Sequence, residues 1–331
     1  MAINIDVLIK LGILLFFAGC SQPSLSPPDQ LIYVEGIELT AGRFGDLVMM
    51  GPEIKGKQVL TRDSFYDAWP FFKNTDEIIF LSARRQGDKR LGLSKEDDLY
   101  IYNNEVVEPL FNWVEDGIMY MFNFDRLTQT VLYKKVGMGT DGAISQIIQQ
   151  NIADSSDQKI IYDRAWEVHN AKISPKRQFM LLEKWFFLNG SYAGHLYLYN
   201  LEQYTEREIL NGITDPEIGQ LTEKFCTIGS FISDTEFLFA CTSHSDKNSI
   251  IYKFDILNNT TSKLFSSREF AIRNPISNYQ SSKIYFLANL LGSDDLYENI
   301  WMIDKDGAPK DSAIQLTDSR LNKDWLQIEN K

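Results

Sequence analysis

Six apolar residues, Leu60, Leu110, Ile160, Leu210, Leu264 and Leu316, each end a short run of β-forming residues and are spaced by 50, 50, 50, 54 and 52 positions. A period this steady restricts the chain to repeat architectures, in which one supersecondary unit recurs because it cannot bury its apolar surface alone. Each copy carries an aromatic-rich segment that ends in Asn or Asp: Asp98–Asn103, His195–Asn200, Ser249–Asp255 and Asn299–Asp304, with Asp46–Gly51 and Thr130–Lys135 fitting more loosely. Aromatic and β-branched residues running into Asn or Asp read as a strand entering a turn. Ahead of the aromatic strand lies a second pair. Trp69–Asn74 leads to Ile78–Leu81, Ala171–Pro175 to Phe179–Leu182, Thr227–Phe231 to Phe237–Ala240, and Pro275–Asn278 to Ile284–Leu287.

Four strands in about 50 residues is what one β-propeller blade requires, and six copies predict a six-bladed, all-β ring over residues 31–331. The ends explain how it closes. Trp69 follows Leu60 by nine residues and Trp325 follows Leu316 by nine, while the first copy, 31–60, is one strand short. The segment Trp325–Ile328 is therefore expected to supply the missing innermost strand and leave no open sheet edge. In the third copy, Ile144, Ile147, Ile148 and Ile152 recur at helical spacing, which predicts an amphipathic helix over Ala143–Ile152 laid on the rim. The fragments Ser174-Pro175 and Ser233-Asp234 resemble the Ser-Pro-Asp-Gly hairpin repeat of TolB-like propellers, although no copy holds the full turn. That resemblance implies a role in protein interaction and carries no specific partner residue across.

The N-terminus addresses location. The apolar block Leu11–Ala18 is too short to span a bilayer, which takes about 20 residues, and it ends in Phe17-Ala18-Gly19-Cys20. Small residues before a cut mark an export signal, and the four positions resemble the lipobox of bacterial lipoproteins, with Phe17 where that family prefers Leu. The resemblance implies a signal peptide at 1–19, acylation of Cys20, and Ser21 following as in lipoproteins sorted to the outer membrane. Residues 20–30 then form a Pro- and Ser-rich tether facing the periplasm. The formal charge of -12 argues against nucleic acid or an anionic membrane surface as a partner, so attachment would come from the lipid. Cys226 and Cys241 flank the Ser233-Asp234 turn, where a hairpin would set them opposite each other; a disulfide and two buried thiols are both open.

The resemblance to known propellers implies that loops between second and third strands line one rim. They offer Arg84 and Arg85, at the head of a basic run ending at Arg90, and the aromatics Trp185, Phe186 and Phe187. The basic run is a carboxylate or phosphate holder or a solvated loop. The aromatics are a contact surface or an extension of the preceding strand. His169, His195 and His244 show no metal-ligand spacing, and the usual nucleophile, zinc and phosphate-loop motifs are absent, so no metal or cofactor is expected. Asp67, Asp116 and Glu167, near the starts of innermost strands, are the nominees for a propeller glycosidase, which would need two or three carboxylates in the central funnel. The expected function is a non-catalytic envelope lipoprotein binding an envelope protein or other ligand. The alternative is a glycan-binding protein or glycosidase using those carboxylates.

Overall fold

The computed structural model describes residues 29–36, 45–51, 56–63, 65–84, 98–110, 118–139, 142–154, 156–188, 191–243, 245–278, 280–290, 297–305, 313–318 and 321–329. The lipobox and Cys20, the run 85–90 with Arg85, Asp116 and His244 lie outside these residues.

The first four-stranded sheet is begun by β1 (Leu31–Gly36), β2 (Gly45–Met50) and β3 (Gln58–Val59). The second holds β4 (Asp67–Phe72), β5 (Glu77–Ser82), β6 (Asp98–Asn103) and β7 (Val106–Pro109). The third holds β8 (Ile118–Asp125), β9 (Thr130–Gly139), β10 (Gly142–Asn151) and β11 (Gln158–Asp163). The fourth unit is β12 (Val168–Ile173), β13 (Phe179–Leu188), β14 (Ser191–Asn200) and β15 (Thr205–Glu208), followed by a small hairpin of β16 (Thr214–Asp215) and β17 (Gly219–Gln220). The fifth is β18 (Phe225–Phe231), β19 (Glu236–Ser243), β20 (Asn248–Asp255) and β21 (Thr260–Ser267). A parallel contact between Gly194 and Phe225 joins the fourth and fifth into one continuous sheet. The sixth is β22 (Phe270–Ile276), β23 (Lys283–Leu290), β24 (Asn299–Asp304) and β25 (Ile314–Gln315). The last strand, β26 (Asn322–Ile328), returns to pair antiparallel with β1, from Leu31 opposite Ile328 to Gly36 opposite Asn322. At this seam the wholly buried Lys323 lies opposite Glu35, 3.4 Å from its carboxylate.

Every sheet is apolar on both faces, and alternate residues along its strands serve different neighbours. Ile32 and Val34 pack with Ile78 and Phe80 between the first and second units, and Ile79 and Leu81 with Met121 and Tyr133 between the second and third. Leu132 meets Met180 and Leu182, and Leu181 and Leu196 meet Phe237 and Phe239. Leu238 and Ala240 meet Ile284 and Phe286, and Tyr285 and Leu287 return to Leu31 and Tyr33. The apolar contacts thus run round a closed circuit, with β4, β8, β12, β18, β22 and β26 nearest its axis.

The segment expected to be a helix is strand β10. Register slips between Ile147 and Ile148 in the β10–β11 ladder. Consecutive residues of a strand point to opposite faces, so Ile147 packs toward the fourth unit and Ile148 toward the second. Helical spacing arose from a strand buried on both sides, and β-branched Ile favours that state. Thr130–Lys135 is accordingly a second strand of its unit, not the third.

Cys226 of β18 and Cys241 of β19 are register partners with Cα atoms 4.1 Å apart, and their sulfurs are bonded. Both are fully buried.

Packing between neighbouring inner strands is close enough to demand glycine at position 229. A Cβ on Gly229 would lie 1.9 Å from the carbonyl oxygen of Pro275 in the neighbouring inner strand. Gly229→Ala is expected to cost about 3 kcal/mol, since the obstructing atom is backbone and cannot rotate away; urea unfolding of the variant against the parent measures it, and a change within ~0.5 kcal/mol would contradict this packing.

Candidate functional site

The inner strands enclose a channel. Its upper end is where these strands begin and its lower end where they finish. Each strand departs from regular ladder register: between Ala68 and Phe71, Met121 and Asn123, Val168 and Asn170, Ile228 and Phe231, Arg273 and Ile276, and opposite Ile32 and Val34 on β26. Bulges re-aim side chains, and three of these turn on left-handed residues, Trp69 at φ 47°, Asn274 at φ 49° and Trp325 at φ 49°. Bulky residues seldom adopt this conformation. Trp69 and Trp325, equivalent in the repeat, pack with ring centroids 4.6 Å apart and planes tilted by 42°, and Tyr120 meets Trp69 edge-on at 5.2 Å.

Asp67 opens β4 and is wholly buried. Arg84, directly after β5, grips both its oxygens, one at 3.0 Å, and also donates to Ser82 Oγ at 2.6 Å and to Asp63. The guanidinium carbon lies 5.4 Å from the ring centroids of Phe65 and Phe80 and 5.7 Å from that of Tyr100. Arg84 is thus an internal strut and not the head of a solvated basic loop. Burial pushes the Asp67 carboxyl up to about 6, against the pull of Arg84. Nearby Asp46 is also raised to about 6, by burial and then by the charges of Asp67, Asp63 and Glu35.

The aromatic segment expected as a rim loop belongs to β13, which runs to Leu188 before β14 begins at Ser191. Extension wins because residues 184–188 have strand partners throughout, Lys184 opposite His195 and Leu188 opposite Ser191. Phe187 is paired there with Tyr192. Trp185 stacks on His169 at 4.1 Å, meets Phe225 edge-on at 5.4 Å, and donates from Nε1 to Glu183 Oε1 at 2.7 Å. The other oxygen of Glu183 accepts the amide N–H of Ile228 at 2.9 Å, so one carboxylate ties the fourth unit to the fifth. Burial raises Glu183 to about 7, restrained by these two hydrogen bonds and by the charges of Arg273 and Lys172. Burial lowers His169 to about 4, helped by Lys134. Lys134, itself lowered to about 8 by burial, donates to the carbonyls of Trp166 and Val168 at 3.2 and 3.0 Å.

Glu167 sits in the turn before β12 and is exposed, with its carbonyl taken by the N–H of Trp185. It precedes β12 while Asp67 opens β4, and β8 lies between those inner strands, so the two described glycosidase nominees do not come from neighbouring units. Among the described residues no group of three or more His, Cys, Asp or Glu could hold a metal ion. Glu183, Lys134 and Lys172 escaped the sequence reading, and His169 entered it only as a histidine without metal-ligand spacing. Their only signal was charge in otherwise apolar strands, as in Leu181-Leu182-Glu183-Lys184 and Ala171-Lys172-Ile173.

At the lower end lies a cavity of about 400 Å³. Its walls come from the ends of β8, β12, β22, β18 and β26, and combine Phe124, Ile173, Phe231, Ile276 and Ile328 with Arg126, Lys172 and Arg177.

Two outcomes are expected. Arg84→Met leaves a buried carboxylate without its cation and should destabilise by about 3–5 kcal/mol, while Arg84→Met with Asp67→Leu should recover most of the loss; equal losses in denaturant midpoint for the two variants would refute the strut. Glu183 binds its proton more tightly in the folded chain, at about 7 against a usual 4.5, and Asp67 and Asp46 act in the same sense. His169, held at about 4 against a usual 6.5, opposes them below pH 6.5, but three carboxyls outweigh one imidazole, so stability should rise as pH falls from about 7 towards 4.5. Glu183→Gln should remove up to about 3 kcal/mol of that rise, read from urea midpoints across this range.

No protein-family model matches this chain, and no curated protein sequence does. Solved structures do. TolB from Acinetobacter baumannii superimposes with a TM-score of 0.66 at 12% identity, over 98% of this chain and 71% of that one. A putative TolB from Agrobacterium tumefaciens gives 0.55 at 10% identity, over 87% and 88%. An oligogalacturonate lyase in complex with manganese gives 0.52 at 11% identity, over 80% and 69%. At these identities the likeness concerns the fold alone: the chain's all-β architecture is similar to the β-propellers of these structures.

Proposed function

We propose that the chain is a non-catalytic, lipid-anchored envelope protein whose six four-stranded units are the blades of a closed propeller that binds another protein in the periplasm. The observation that carries this reading is the use made of the channel's buried carboxylates. Asp67 is held by Arg84, and Glu183 by Ile228 and Trp185. Both are struts between strands, whereas a glycosidase needs one carboxyl free to transfer a proton and a second placed across the scissile bond.

Other features agree. A buried disulfide suits an exported chain. Among the described residues no helix is long and apolar enough to cross a membrane, so acylation of Cys20 would provide the attachment to the outer membrane. At the upper mouth Trp166 is 47% exposed beside exposed Glu167. An exposed tryptophan with a polar rim is the composition of an interface hot spot.

The test is in-cell crosslinking of the full chain, followed by purification and mass spectrometry, with Trp166→Ala alongside. The expected result is a mature N-terminus at an acylated Cys20 and one envelope protein that is captured by the parent and lost at least tenfold in the variant. An N-terminus without acylation would overturn the anchor. Release of reducing sugar from envelope polysaccharide, abolished by Asp67→Asn, would overturn the non-catalytic reading in favour of the glycan alternative.

A further inference from the structure

The lower cavity has a chemistry distinct from that of the upper mouth. Its volume, about 400 Å³, falls in the range of small-molecule sites and leaves room for a chain of roughly a dozen heavy atoms at ~30 Å³ for each water-sized unit. Five inner strands present apolar side chains to it, so an occupant must bring apolar surface. Three cations line it as well. Two of them are already engaged in ion pairs, Arg126 with Glu329 at 3.6 Å and Arg177 with Asp125 at 3.2 Å.

Lys172 is different. Among the described residues its Nζ has one hydrogen-bond acceptor, the carbonyl of Phe122 at 3.1 Å, and it lies 5.1 Å from the ring centroid of Phe71. An ammonium has three donors. The nearby carboxylate of Glu183 has both oxygens committed elsewhere. Burial holds the amine down to about 8, as expected of a cation short of partners in an apolar setting. One incompletely satisfied cation in such a wall matches a ligand with a single negative charge. A dianionic phosphate would strand charge against the hydrocarbon.

We infer that the cavity binds a monocarboxylate carried on an apolar chain, with the carboxylate on Lys172 Nζ and the chain against Phe124, Ile173, Phe231, Ile276 and Ile328. Two sources present this chemistry, a free medium-chain fatty acid and the C-terminal carboxylate of an apolar peptide. The site is separate from the upper-mouth interface proposed above, and purified chain without its anchor or partner suffices to test it.

The measurement is calorimetric titration of the purified chain with decanoate, with decanol, and with acetyl-leucine as the free acid and as its C-terminal amide, on parent and Lys172→Met. Methionine keeps the apolar stem and removes the charge. One of the acids should bind the parent at least tenfold tighter than its uncharged counterpart, and Lys172→Met should erase that preference. Decanoate alone showing it identifies a free acid, and acetyl-leucine alone identifies a polypeptide terminus. A second readout needs no variant: trinitrobenzenesulfonate labelling of Lys172, mapped by peptide mass, should slow at least fivefold with the binding acid present. Neither acid binding, affinity unchanged in Lys172→Met, or labelling unaffected by the acid that binds would overturn the assignment.

Discussion

The structure depends on the two-faced apolar character of its sheets. A sheet with one wet face can stand at the edge of a fold, but each four-stranded unit here carries large apolar side chains on both sides and needs a neighbour on each. Phe239 packs toward the fourth unit while Leu238, next in the chain, packs toward the sixth. Fully burying one such side chain is worth about 1.5–3 kcal/mol, so a unit with one bare face would forfeit much of its own stabilisation. Only a closed circuit satisfies every face. That is why β26 must return to β1, and why Lys323 is carried into a wholly buried position beside Glu35 to complete the seam.

Closure brings six inner strands together and creates the crowding that shapes the channel. Bulges turn side chains into or out of the axis, at the expense of left-handed tryptophans at 69 and 325. Charged groups drawn inside must then find partners in a poorly solvating space. Asp67 and Glu183 succeed, and their hydrogen bonds hold strands together. Lys172 is satisfied only in part, and it is the one that faces the lower cavity. The upper mouth offers an exposed tryptophan and carboxylate where the lower end offers an apolar hollow with an amine, so the two ends suit different ligands.

Much of the fold was legible because it repeats. Aromatic strands ending in Asn or Asp recur since every unit must turn its third strand at the same place, and Asn151, Asn200 and Asp255 cap those turns with side-chain oxygens. The spacing of Trp69 and Trp325 exposed the circular closure before any coordinates. The third unit misled because a strand buried on both faces shows consecutive isoleucines, which mimic helical spacing. The site was less legible. Arg84 looked like the start of a solvated basic run, and its grip on Asp67 depends on a cross-strand approach over 17 positions. Trp185 looked like a loop residue because nothing in a single strand announces that its pairing continues.

The sequence by itself determined the all-β class, the period of the units and the strand that closes the ring, because local propensity and alternation repeat at each copy and need no knowledge of distant neighbours. Tertiary structure alone decided which charges are struts and which face a cavity. Whether Glu183 meets Ile228, or Lys172 is left with an acceptor too few, is set by contacts between strands that are remote in the chain and come together only when the circuit closes.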